Sequence, residues 1–398
     1  MADEPLACLE GKTPLAAAHT PHMDELAKVS EIGMVKTIPD GMSPGSDTAN
    51  LSVLGYDPKQ YYTGRSPLEA LSIGVDMRDT DVAVRTNIVT LSEEDCAYEE
   101  RTIIDHSSGE ISTEEAKTLL EALKSAFESL LSEEEKALFA FYCGVSYRHL
   151  LIWDNGSVDA LTAPHDILGK QIGTYLPENV HLKRMMQLSY DILENHPVNV
   201  KRRAEGKNPA NSIWFWGAGT KPCLDGFQEK FGKTGSMISA VDLLKGIAVG
   251  AGMRNIDVEG ATGTLDTNYE GKAEAAVKEL LENHSDFVYI HLEASDEMGH
   301  QGSVEKKIKA IEYLDARVIG PVKESLDNAG VDYRMLVLPD HPTPVRIRTH
   351  SADPVPYMLY DSTKKIQLTS AYDEEHAKAT GIFVEQGCTL MNILLQKD

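Results

Sequence analysis

Cysteine and basic residues are scarce in this chain, and each scarcity argues against a class of protein. The 398 residues include only five cysteines, which are far apart and form no Cys-x-x-Cys pair. This spacing argues against a disulfide framework and against a thiolate zinc site. The chain has 38 Lys and Arg residues but 62 Asp and Glu residues, so the formal net charge is −24. Because nucleic acids are bound by basic surfaces, we expect no nucleic-acid partner.

Long apolar runs are missing as well. No run approaches the ~20 residues that a membrane-spanning helix requires. The first residues lack the basic and then apolar pattern of a signal peptide. We therefore expect a cytoplasmic protein without a membrane partner. The 42% apolar content is ordinary for a globular chain, and a length of 398 residues predicts two domains, or one large domain with an insertion.

The order of the predicted elements indicates an α/β domain that is interrupted by an insertion. In the last part of the chain, helices alternate with short apolar runs, which is typical of a parallel sheet. Residues 77–234 instead show a strand, a helix and a strand pair, which predicts an inserted α+β unit. The α/β domain is then discontinuous and comprises residues 1–76 and 235–398. Its first predicted element is a helix over 15–28, and no strand precedes that helix although such domains usually open with one.

A loop rich in Pro and Gly contains a candidate nucleophile. Ser46 and Asp47 follow Pro44 and Gly45 and look like the start of a helix. The first amides and the positive dipole end of that helix favour a bound phosphate. A serine at this place is either a helix N-cap or a nucleophile, and the local sequence by itself favours the cap.

Three stretches in the last third of the chain carry imidazole and carboxylate groups. Asp296 and His300 follow one apolar run, Asp340 and His341 follow another, and His350 comes nine residues later. Loops at the carboxyl ends of strands hold the sites of open α/β sheets. Two carboxylates and three imidazoles are too many for one catalytic metal, but they suit two ions that clamp the oxygens in phosphoryl transfer. The mixture of ligands favours zinc or manganese over magnesium alone.

Two further segments, Pro44–Ser52 and Tyr62–Arg65, complete a specific pattern with these stretches. Over nearly the whole chain, the pattern resembles the cofactor-independent phosphoglycerate mutases of the archaeal type, in the alkaline phosphatase superfamily. The resemblance implies an α/β fold, with an alkaline-phosphatase-like doubly wound sheet and an inserted α+β cap. It also implies that 3-phosphoglycerate and 2-phosphoglycerate are interconverted through phosphorylated Ser46, without bisphosphoglycerate.

The same resemblance implies two divalent metal ions. Manganese is the first choice, and zinc, magnesium or cobalt are alternatives. The family pattern gives two ligand sets: one ion is held by Asp296, His300 and His350, and the other by Asp340, His341, the Ser46 oxygen and an aspartate near the N-terminus.

That last aspartate is where this sequence departs from the family pattern. In the family it belongs to an Asp-Gly pair at the end of the first strand, just before a Met-Ala-Asp segment. Here Met1, Ala2 and Asp3 begin the chain. The strand and its aspartate would fall upstream of Met1, so we expect a start that is truncated. Asp3 is not expected to replace the missing ligand, because it matches a later position of the pattern.

The inserted unit is implied to be a mobile cap that closes over the substrate. Arginine is suited to bidentate binding of carboxylate or phosphate. The candidate anion contacts are Arg65, Arg85, Arg148 and His165. The alternative interpretation makes them surface charges and a satisfied loop histidine. Trp214 and Trp216 are predicted to be core residues.

Two other functions remain open at this stage. Relatives of this archaeal-type group have been proposed as homoserine kinases, which move phosphate from a nucleotide to an amino-acid hydroxyl. No Gly-x-x-x-x-Gly-Lys loop is present, but this superfamily would not need one. The third interpretation is an inactive remnant that lacks one metal ligand. In the two enzymatic interpretations the partner is a small phosphorylated substrate, and the sequence predicts no oligomeric state.

Overall fold

The computed structural model describes residues 1–158, 160–364, 366 and 369–396. It divides the chain into two compact units. Unit 1 comprises Met1–Tyr62 and Cys223–Asp398, and unit 2 comprises Thr63–Pro222. The insertion predicted over 77–234 overlaps unit 2, and its role as a cap stays a prediction. No helix in the described part of the chain is long and apolar enough to span a bilayer.

The two longest strands of the described residues, Asp81–Leu91 and Ser212–Thr220, belong to unit 2. In chain order they are β1 (Glu31–Val35), β2 (Asp81–Leu91), β3 (Ile103–Asp105), β4 (Phe139–Tyr142), β5 (Arg148–Asp154), β6 (Ser212–Thr220), β7 (Gly235–Ile238), β8 (Arg254–Asn255), β9 (Phe287–Ile290), β10 (Arg334–Val337), β11 (Val355–Asp361) and β12 (Phe383–Val384).

The α-helices include several of only one or two turns. In chain order they are α1 (Pro14–Ala17), α2 (Pro21–Ala27), α3 (Ser46–Val53), α4 (Pro58–Tyr61), α5 (Arg65–Ser72), α6 (Thr113–Leu130), α7 (Glu133–Leu138), α8 (Val180–Leu193), α9 (Pro197–Ala204), α10 (Phe227–Phe231), α11 (Asp242–Gly250), α12 (Tyr269–Leu281), α13 (Ala294–His300), α14 (Val304–Leu314), α15 (Gly320–Ala329), α16 (Glu374–Ala379) and α17 (Leu390–Leu395). A π-helical turn, Asp315–Ile319, joins α14 to α15.

Unit 1 contains two sheets among its described residues. One has the strand order β10-β11-β1-β12, in which β11 is antiparallel to both β10 and β1. The other has the order β8-β7-β9, and all its strands are parallel. The prediction of one doubly wound sheet is therefore met only in part. The mixed α/β class is confirmed, but the strands of unit 1 form two separate sheets, one mixed and one parallel, because no described strand joins β9 to β10.

The predicted helix over 15–28 is wrong as a single element. The structure has two short helices, α1 and α2, separated by residues 18–20, of which Ala18 is extended. Pro21 begins α2, where its missing N–H costs no hydrogen bond. A proline at this place disfavours helical geometry in the residue before it and ends any helix running through.

Unit 2 is built on β2, whose eleven residues are all buried. Its sheet has the order β3-β2-β5-β4, and β6 pairs with β2 as well. Ser112 caps α6, because its Oγ accepts from the amide of Glu115 at 3.3 Å. Helices α6 and α8 pack on the sheet through leucine and methionine side chains. All three tryptophans of the chain, Trp153, Trp214 and Trp216, belong to this unit, so tryptophan fluorescence reports on it selectively.

Acid should destabilise unit 2 through His149. This side chain is 1% exposed, and burial, with Lys124 adding to it, lowers its pKa to about 4. In the unfolded chain the pKa is near 6.5. The folded unit thus binds fewer protons, and stability that is present above pH 6.5 is lost as the pH falls towards 4. The expected loss is roughly 3 kcal/mol, measured by urea unfolding with tryptophan fluorescence at pH 7 and pH 4.

The variant His149→Gln tests whether His149 causes the loss of stability in acid. A glutamine oxygen can still accept from the Gly144 amide, as His149 Nδ1 does at 3.2 Å, but glutamine does not titrate. Its stability should therefore fall less between pH 7 and pH 4 than that of the parent. Equal losses in the two proteins would contradict the prediction.

Candidate metal centre

Asp296 and His300 lie on α13, which follows β9 after three residues. They are four positions apart, so both side chains project from one face of the helix. His300 Nε2 is 3.3 Å from one carboxylate oxygen of Asp296. Both side chains are half-buried. The second carboxylate oxygen accepts a short hydrogen bond from the hydroxyl of Thr343, which holds the carboxylate in place.

His350 reaches the same point from a distant part of the chain. Its Nε2 atom is 3.6 Å from Asp296 Oδ1 and 2.9 Å from His300 Nε2. The ligand atoms of all three residues lie within 4.8 Å of one another. The structure thus brings together the three residues predicted to hold the first metal ion.

The outer ring nitrogens show that this cluster fits a cation. His300 Nδ1 is 3.0 Å from the carbonyl oxygen of Arg348, and His350 Nδ1 is 3.4 Å from that of Pro44. A carbonyl can only accept, so each Nδ1 carries a proton, and each Nε2 is left to bind either a second proton or a metal ion. Two lone pairs and a carboxylate directed at one place repel each other unless a cation lies between them. Metal-binding histidines are oriented by such outer-shell bonds.

The electrostatics of the cluster agree with this geometry. Burial works against the Asp296 charge, but hydrogen bonds to His300 and His350 outweigh it and hold the pKa of the carboxyl well below its usual range. The Asp296 hydrogen bond raises the pKa of His300 to about 9. Both shifts show that a positive charge is favoured here, which a divalent ion can supply in place of a proton.

A second group of predicted ligands lies around Ser46. Ser46 Oγ is 3.2 Å from His341 Nε2. Asp340 follows β10, and its carboxylate accepts from the amide nitrogen of Asn50 at 3.0 Å and from the His341 backbone amide at 3.0 Å. Burial opposes the charge of Asp340, but His341 and His291 lower the pKa of this carboxyl overall. These contacts link Asp340, His341 and Ser46, the residues that are predicted to contribute to the second metal site.

Ser46 does not cap its helix. The N-cap of α3 is Gly45, Ser46 is the first helical residue, and its hydroxyl contacts His341 instead. The local preference for a capping role is therefore wrong at this position. Because α3 begins at Ser46, its first amides and its positive dipole end lie next to that hydroxyl.

Four supporting residues escaped the sequence analysis. Asn50 bonds both the Ser46 carbonyl and Asp340, and Tyr289 donates to Asn50 Oδ1 at 2.5 Å. The hydroxyl of Thr343 donates to Asp296, and Nδ1 of half-buried His291 is 3.3 Å from the Ser239 hydroxyl. Of these four, only Asn50 could have been found from the sequence, because it follows Ser46 by four residues and therefore lies on the same face of the helix.

The first residues of the chain are part of this region. The Met1 amino group donates to Ser295 Oγ at 3.1 Å, and burial, helped by the charge of Lys307, lowers its pKa to about 5. Asp3 forms a buried ion pair with Lys307 at 2.7 Å and accepts from the Val345 amide at 3.1 Å. The Asp3 carboxylate is therefore engaged in buried contacts, which is consistent with the expectation that Asp3 does not replace the missing metal ligand.

A separate cationic cluster lies in unit 2. Arg65 and Arg85 both contact one carboxylate oxygen of Glu69 at 3.0 Å. Arg85 is buried, and its guanidinium lies over the Trp216 ring at 4.8 Å. The His165 ring lies 5.2 Å from Trp216. Within the described part of unit 2, the Nε–H of Arg85 has no hydrogen-bond partner.

Arg148, the fourth predicted anion contact, is close enough to this cluster for its charge to affect Arg85. Burial lowers the pKa of Arg85 to about 10, and the positive charges of Arg65 and Arg148 contribute to this lowering. The three arginines thus outnumber the two nearby carboxylates, Glu69 between Arg65 and Arg85 and Asp166 beside His165, an arrangement that favours an added anion. Trp216, which was predicted to be a core residue, is half-exposed beside Arg85, whereas Trp214 is buried as predicted.

The fold and the candidate site together indicate a class of enzyme. The chain is a mixed α/β protein that places a serine at a helix N-terminus, beside a carboxylate and histidine cluster with the spacing of a divalent-metal site. Such arrangements are typical of enzymes that transfer phosphoryl groups.

Comparisons with known proteins narrow the class to a family. Residues 27–199 match a protein-family model that is described as "2,3-bisphosphoglycerate-independent phosphoglycerate mutase". A protein of Geobacter sulfurreducens, named as a probable member, is 50% identical over 404 residues, covering 100% of this chain and 98% of its own length. The Methanosarcina barkeri mutase is 50% identical over 402 residues, with 100% and 97% covered. The chain therefore belongs to the family of 2,3-bisphosphoglycerate-independent phosphoglycerate mutases.

Solved structures agree with this assignment. The PH0037 protein of Pyrococcus horikoshii matches with a TM-score of 0.81 at 30% identity, over 100% of this chain and 94% of that one. The cofactor-independent phosphoglycerate mutase of Thermoplasma acidophilum matches with a TM-score of 0.64 at 26% identity, over 100% and 96%. These neighbours imply an alkaline-phosphatase-like fold for this chain.

Proposed function

We propose that this protein interconverts 3-phosphoglycerate and 2-phosphoglycerate through a phosphoserine at Ser46. The family membership supports the reaction. One observation carries the mechanism: Ser46 Oγ lies at the N-terminus of α3, 3.2 Å from His341 Nε2 and in the same region as the three-residue cluster. A hydroxyl in that position is exposed to the dipole and amides that favour a phosphate dianion.

Two groups of residues would hold the divalent ions of this family. Asp296, His300 and His350 form one group, and Asp340, His341 and the Ser46 oxygen contribute to the other. Bound divalent ions supply charge neutralisation at phosphoryl oxygens and lower the pKa of a coordinated hydroxyl. Imidazole and carboxylate ligands favour manganese first, with zinc, magnesium and cobalt as alternatives, and no bisphosphoglycerate is required.

The chain's own residues account for two successive transfers. In the first, Ser46 Oγ forms a bond to phosphorus and loses its proton, while the ester bond to the substrate oxygen breaks and that oxygen takes up a proton. In the second, the other hydroxyl of glycerate attacks the phosphoserine and Ser46 regains a proton. No atom is gained or lost overall, as an isomerisation requires. Covalent catalysis divides one difficult transfer into two easier ones.

The cationic cluster of unit 2 is proposed to bind the anionic groups of the substrate. Arg85 offers an unused Nε–H donor, and Arg65, Arg148 and His165 add positive charge or donors nearby. Holding glycerate between the two transfers prevents its loss to solvent, which would turn the reaction into hydrolysis. The cap role of the inserted unit and a cytoplasmic location belong to the same proposal.

Replacing Arg85 tests the role of unit 2. In Arg85→Met we expect kcat/KM for 3-phosphoglycerate to fall by about 10²-fold, mainly through KM, because a charge-assisted hydrogen bond is worth ~1.5–3 kcal/mol. Glu69 keeps Arg65 as its partner, so folding should persist. Steady-state kinetics measure the effect, and Lys201→Met, an exposed charge on α9, is the matched control. An unchanged KM in Arg85→Met would remove this arginine from the substrate site.

Direct assays separate the proposed reaction from its runner-up. The purified protein with manganese is given 3-phosphoglycerate in one reaction, and ATP with homoserine in another. We expect 2-phosphoglycerate to form, with no phosphohomoserine and no consumption of ATP. Phosphohomoserine without 2-phosphoglycerate would overturn the proposal.

A further inference from the structure

Asn50 is a polar side chain in the interior of α3, the helix that begins at Ser46, and it is fully buried. Asparagine forms helices less readily than alanine or leucine, so neither helix propensity nor apolar packing accounts for this residue. Buried amide groups are found with hydrogen-bond partners, because an unpaired one is costly. The partners of Asn50 therefore show what the amide contributes at this position.

The amide group of Asn50 has only one possible orientation. Its Nδ2 atom donates to the Ser46 carbonyl at 2.8 Å and to Asp340 Oδ2 at 3.0 Å. A carbonyl and a carboxylate only accept, so the two amide hydrogens must face them and the amide oxygen must point elsewhere. That oxygen accepts from the Tyr289 hydroxyl at 2.5 Å. A flipped amide would lose all three hydrogen bonds.

The first of these bonds holds the turn that carries the candidate nucleophile. Ser46 is the first residue of α3, and the ends of helices fray. The Asn50 side chain gives the Ser46 carbonyl a hydrogen bond in addition to those of the helix backbone. The Ser46 hydroxyl projects from this same turn and lies 3.2 Å from His341 Nε2. Asn50 thus restrains the backbone from which that hydroxyl extends.

The second bond fixes the plane of the Asp340 carboxylate. Oδ2 accepts from Asn50, whereas Oδ1 accepts from the His341 backbone amide at 3.0 Å. With one donor on each oxygen, the carboxylate cannot rotate without losing a hydrogen bond. Oδ2 is thereby placed 3.5 Å from His341 Nε2, the ring atom that Ser46 Oγ also contacts. One amide group therefore restrains two of the three groups that meet at this point.

The third bond, from Tyr289, orients the amide itself. Tyr289 lies on β9, which is paired with β7, so its ring is attached to a sheet and not to α3. The Asn50 oxygen carries no hydrogen, so the tyrosine hydroxyl must be the donor. Burial, with the charge of Asp340 adding to it, raises the pKa of Tyr289 far above its usual range. The hydroxyl therefore keeps its proton, and the donor is present at every working pH.

We propose that Asn50, oriented by the Tyr289 hydroxyl, is a positioning residue that holds the Ser46 hydroxyl and the Asp340 carboxylate together at the His341 ring. This inference rests on the proposed role of Ser46 as the nucleophile. Asn50 and Tyr289 act through Ser46 and Asp340, and they do so in both transfers. Their loss should therefore lower kcat and leave substrate binding unchanged, because the anionic groups of the substrate are proposed to be bound by other residues.

Removal of one hydroxyl tests the proposal. In Tyr289→Phe we expect kcat for 3-phosphoglycerate to fall by roughly 10- to 100-fold, the usual effect of losing an outer-shell partner, with KM changed by less than about twofold. The matched control is Tyr357→Phe. Tyr357 is fully buried in β11 of the same unit, and its hydroxyl donates to Glu31 at 2.9 Å. The control should keep the kcat of the parent.

A double variant shows whether Tyr289 acts through Asn50. Asn50→Leu fills the same space with a residue that favours helix, and it should lower kcat at least as much as Tyr289→Phe does. Adding Tyr289→Phe to Asn50→Leu should cause no further loss, because the amide that the hydroxyl orients is already absent.

Hydrogen exchange on the metal-free protein gives a measurement that does not require turnover. The amide of Ala49 donates to the Gly45 carbonyl at 2.9 Å in the first turn of α3. We expect exchange at Ala49 to be roughly 10-fold faster in Tyr289→Phe than in the parent, because a turn that is held less firmly opens more often. In Tyr357→Phe it should be as slow as in the parent.

Three results would overturn the inference. Parent values of kcat and exchange in Tyr289→Phe would show that the hydroxyl positions nothing. An equal loss of kcat in Tyr357→Phe would show a general effect of losing a buried hydroxyl, and additive losses in the double variant would show that Tyr289 does not act through Asn50. If the parent protein has no mutase activity, the proposed function fails, and exchange at Ala49 by itself decides whether Asn50 and Tyr289 position this turn.

Discussion

Ser46→Ala should abolish phosphoglycerate mutase turnover, with kcat lowered by about 10⁴-fold or more. Ser46 Oγ is the atom proposed to carry the phosphoryl group between the two transfers, and alanine leaves no atom that could accept it. The removal of a covalent nucleophile commonly costs this much, because the remaining residues can only bind the substrate. The side chain is half-buried and does not cap α3, so the fold should be retained.

Two measurements check this result. Steady-state kinetics give the loss of kcat, and incubation with radiolabelled 3-phosphoglycerate followed by acid quenching should label the parent protein but not Ser46→Ala. The matched control is Ser43→Ala, a serine of the same loop, which should keep both activity and labelling. A Ser46→Ala protein that retains turnover would rule out the phosphoserine route.

Asp296→Asn should lower the affinity for the first divalent ion by about 10³-fold, which corresponds to roughly 4 kcal/mol. The amide keeps the shape of the side chain but removes the only negative charge among the three clustered ligands. Without that charge, only the two facing imidazole nitrogens, 2.9 Å apart, remain to attract the cation. Activity should fall in parallel at limiting manganese and recover in part at high manganese.

Titration calorimetry with manganese on chelator-treated protein measures this affinity, and elemental analysis counts the bound ions. Glu305→Gln, an exposed carboxylate on α14, is the matched control and should bind as the parent does. Removal of metal from the parent should also lower the unfolding temperature, because bound ligand stabilises the folded state. A parent protein that binds less than one ion per chain would favour the interpretation of an inactive remnant.

Much of the candidate site was predictable because its residues come directly after strands. Asp340 succeeds an apolar run, and the residues just past the carboxyl end of a strand lie at one edge of the sheet. Asp296 and His300 were predictable as a pair because four residues make about one turn of a helix. The role of Ser46 was different: local propensity favoured a cap, and only the resemblance of the whole pattern indicated a nucleophile.

Other features were not predictable, because they depend on which segments meet. Trp216 has the hydrophobic neighbours of a core strand in sequence, but the structure places its ring beside Arg85. The carbonyls of Arg348 and Pro44, which orient the two histidines, carry no side-chain signal at all. Likewise, the alternating pattern of strands and helices predicted one sheet, because periodicity reports the burial of a strand and not its neighbours.

The sequence by itself determined the order of most elements and the family, since hydrophobic period, turn residues and motif spacing are local properties of the chain. It also determined that carboxylates and imidazoles would come after strands. The resemblance implied that His350 joins Asp296 and that Ser46 joins His341, but only the tertiary structure gives the distances of these contacts, turns the Ser46 hydroxyl away from its own helix, and places β9 and β10 along one cavity. Those are contacts between distant segments, and their geometry arises from the packing of whole elements, which no local pattern encodes.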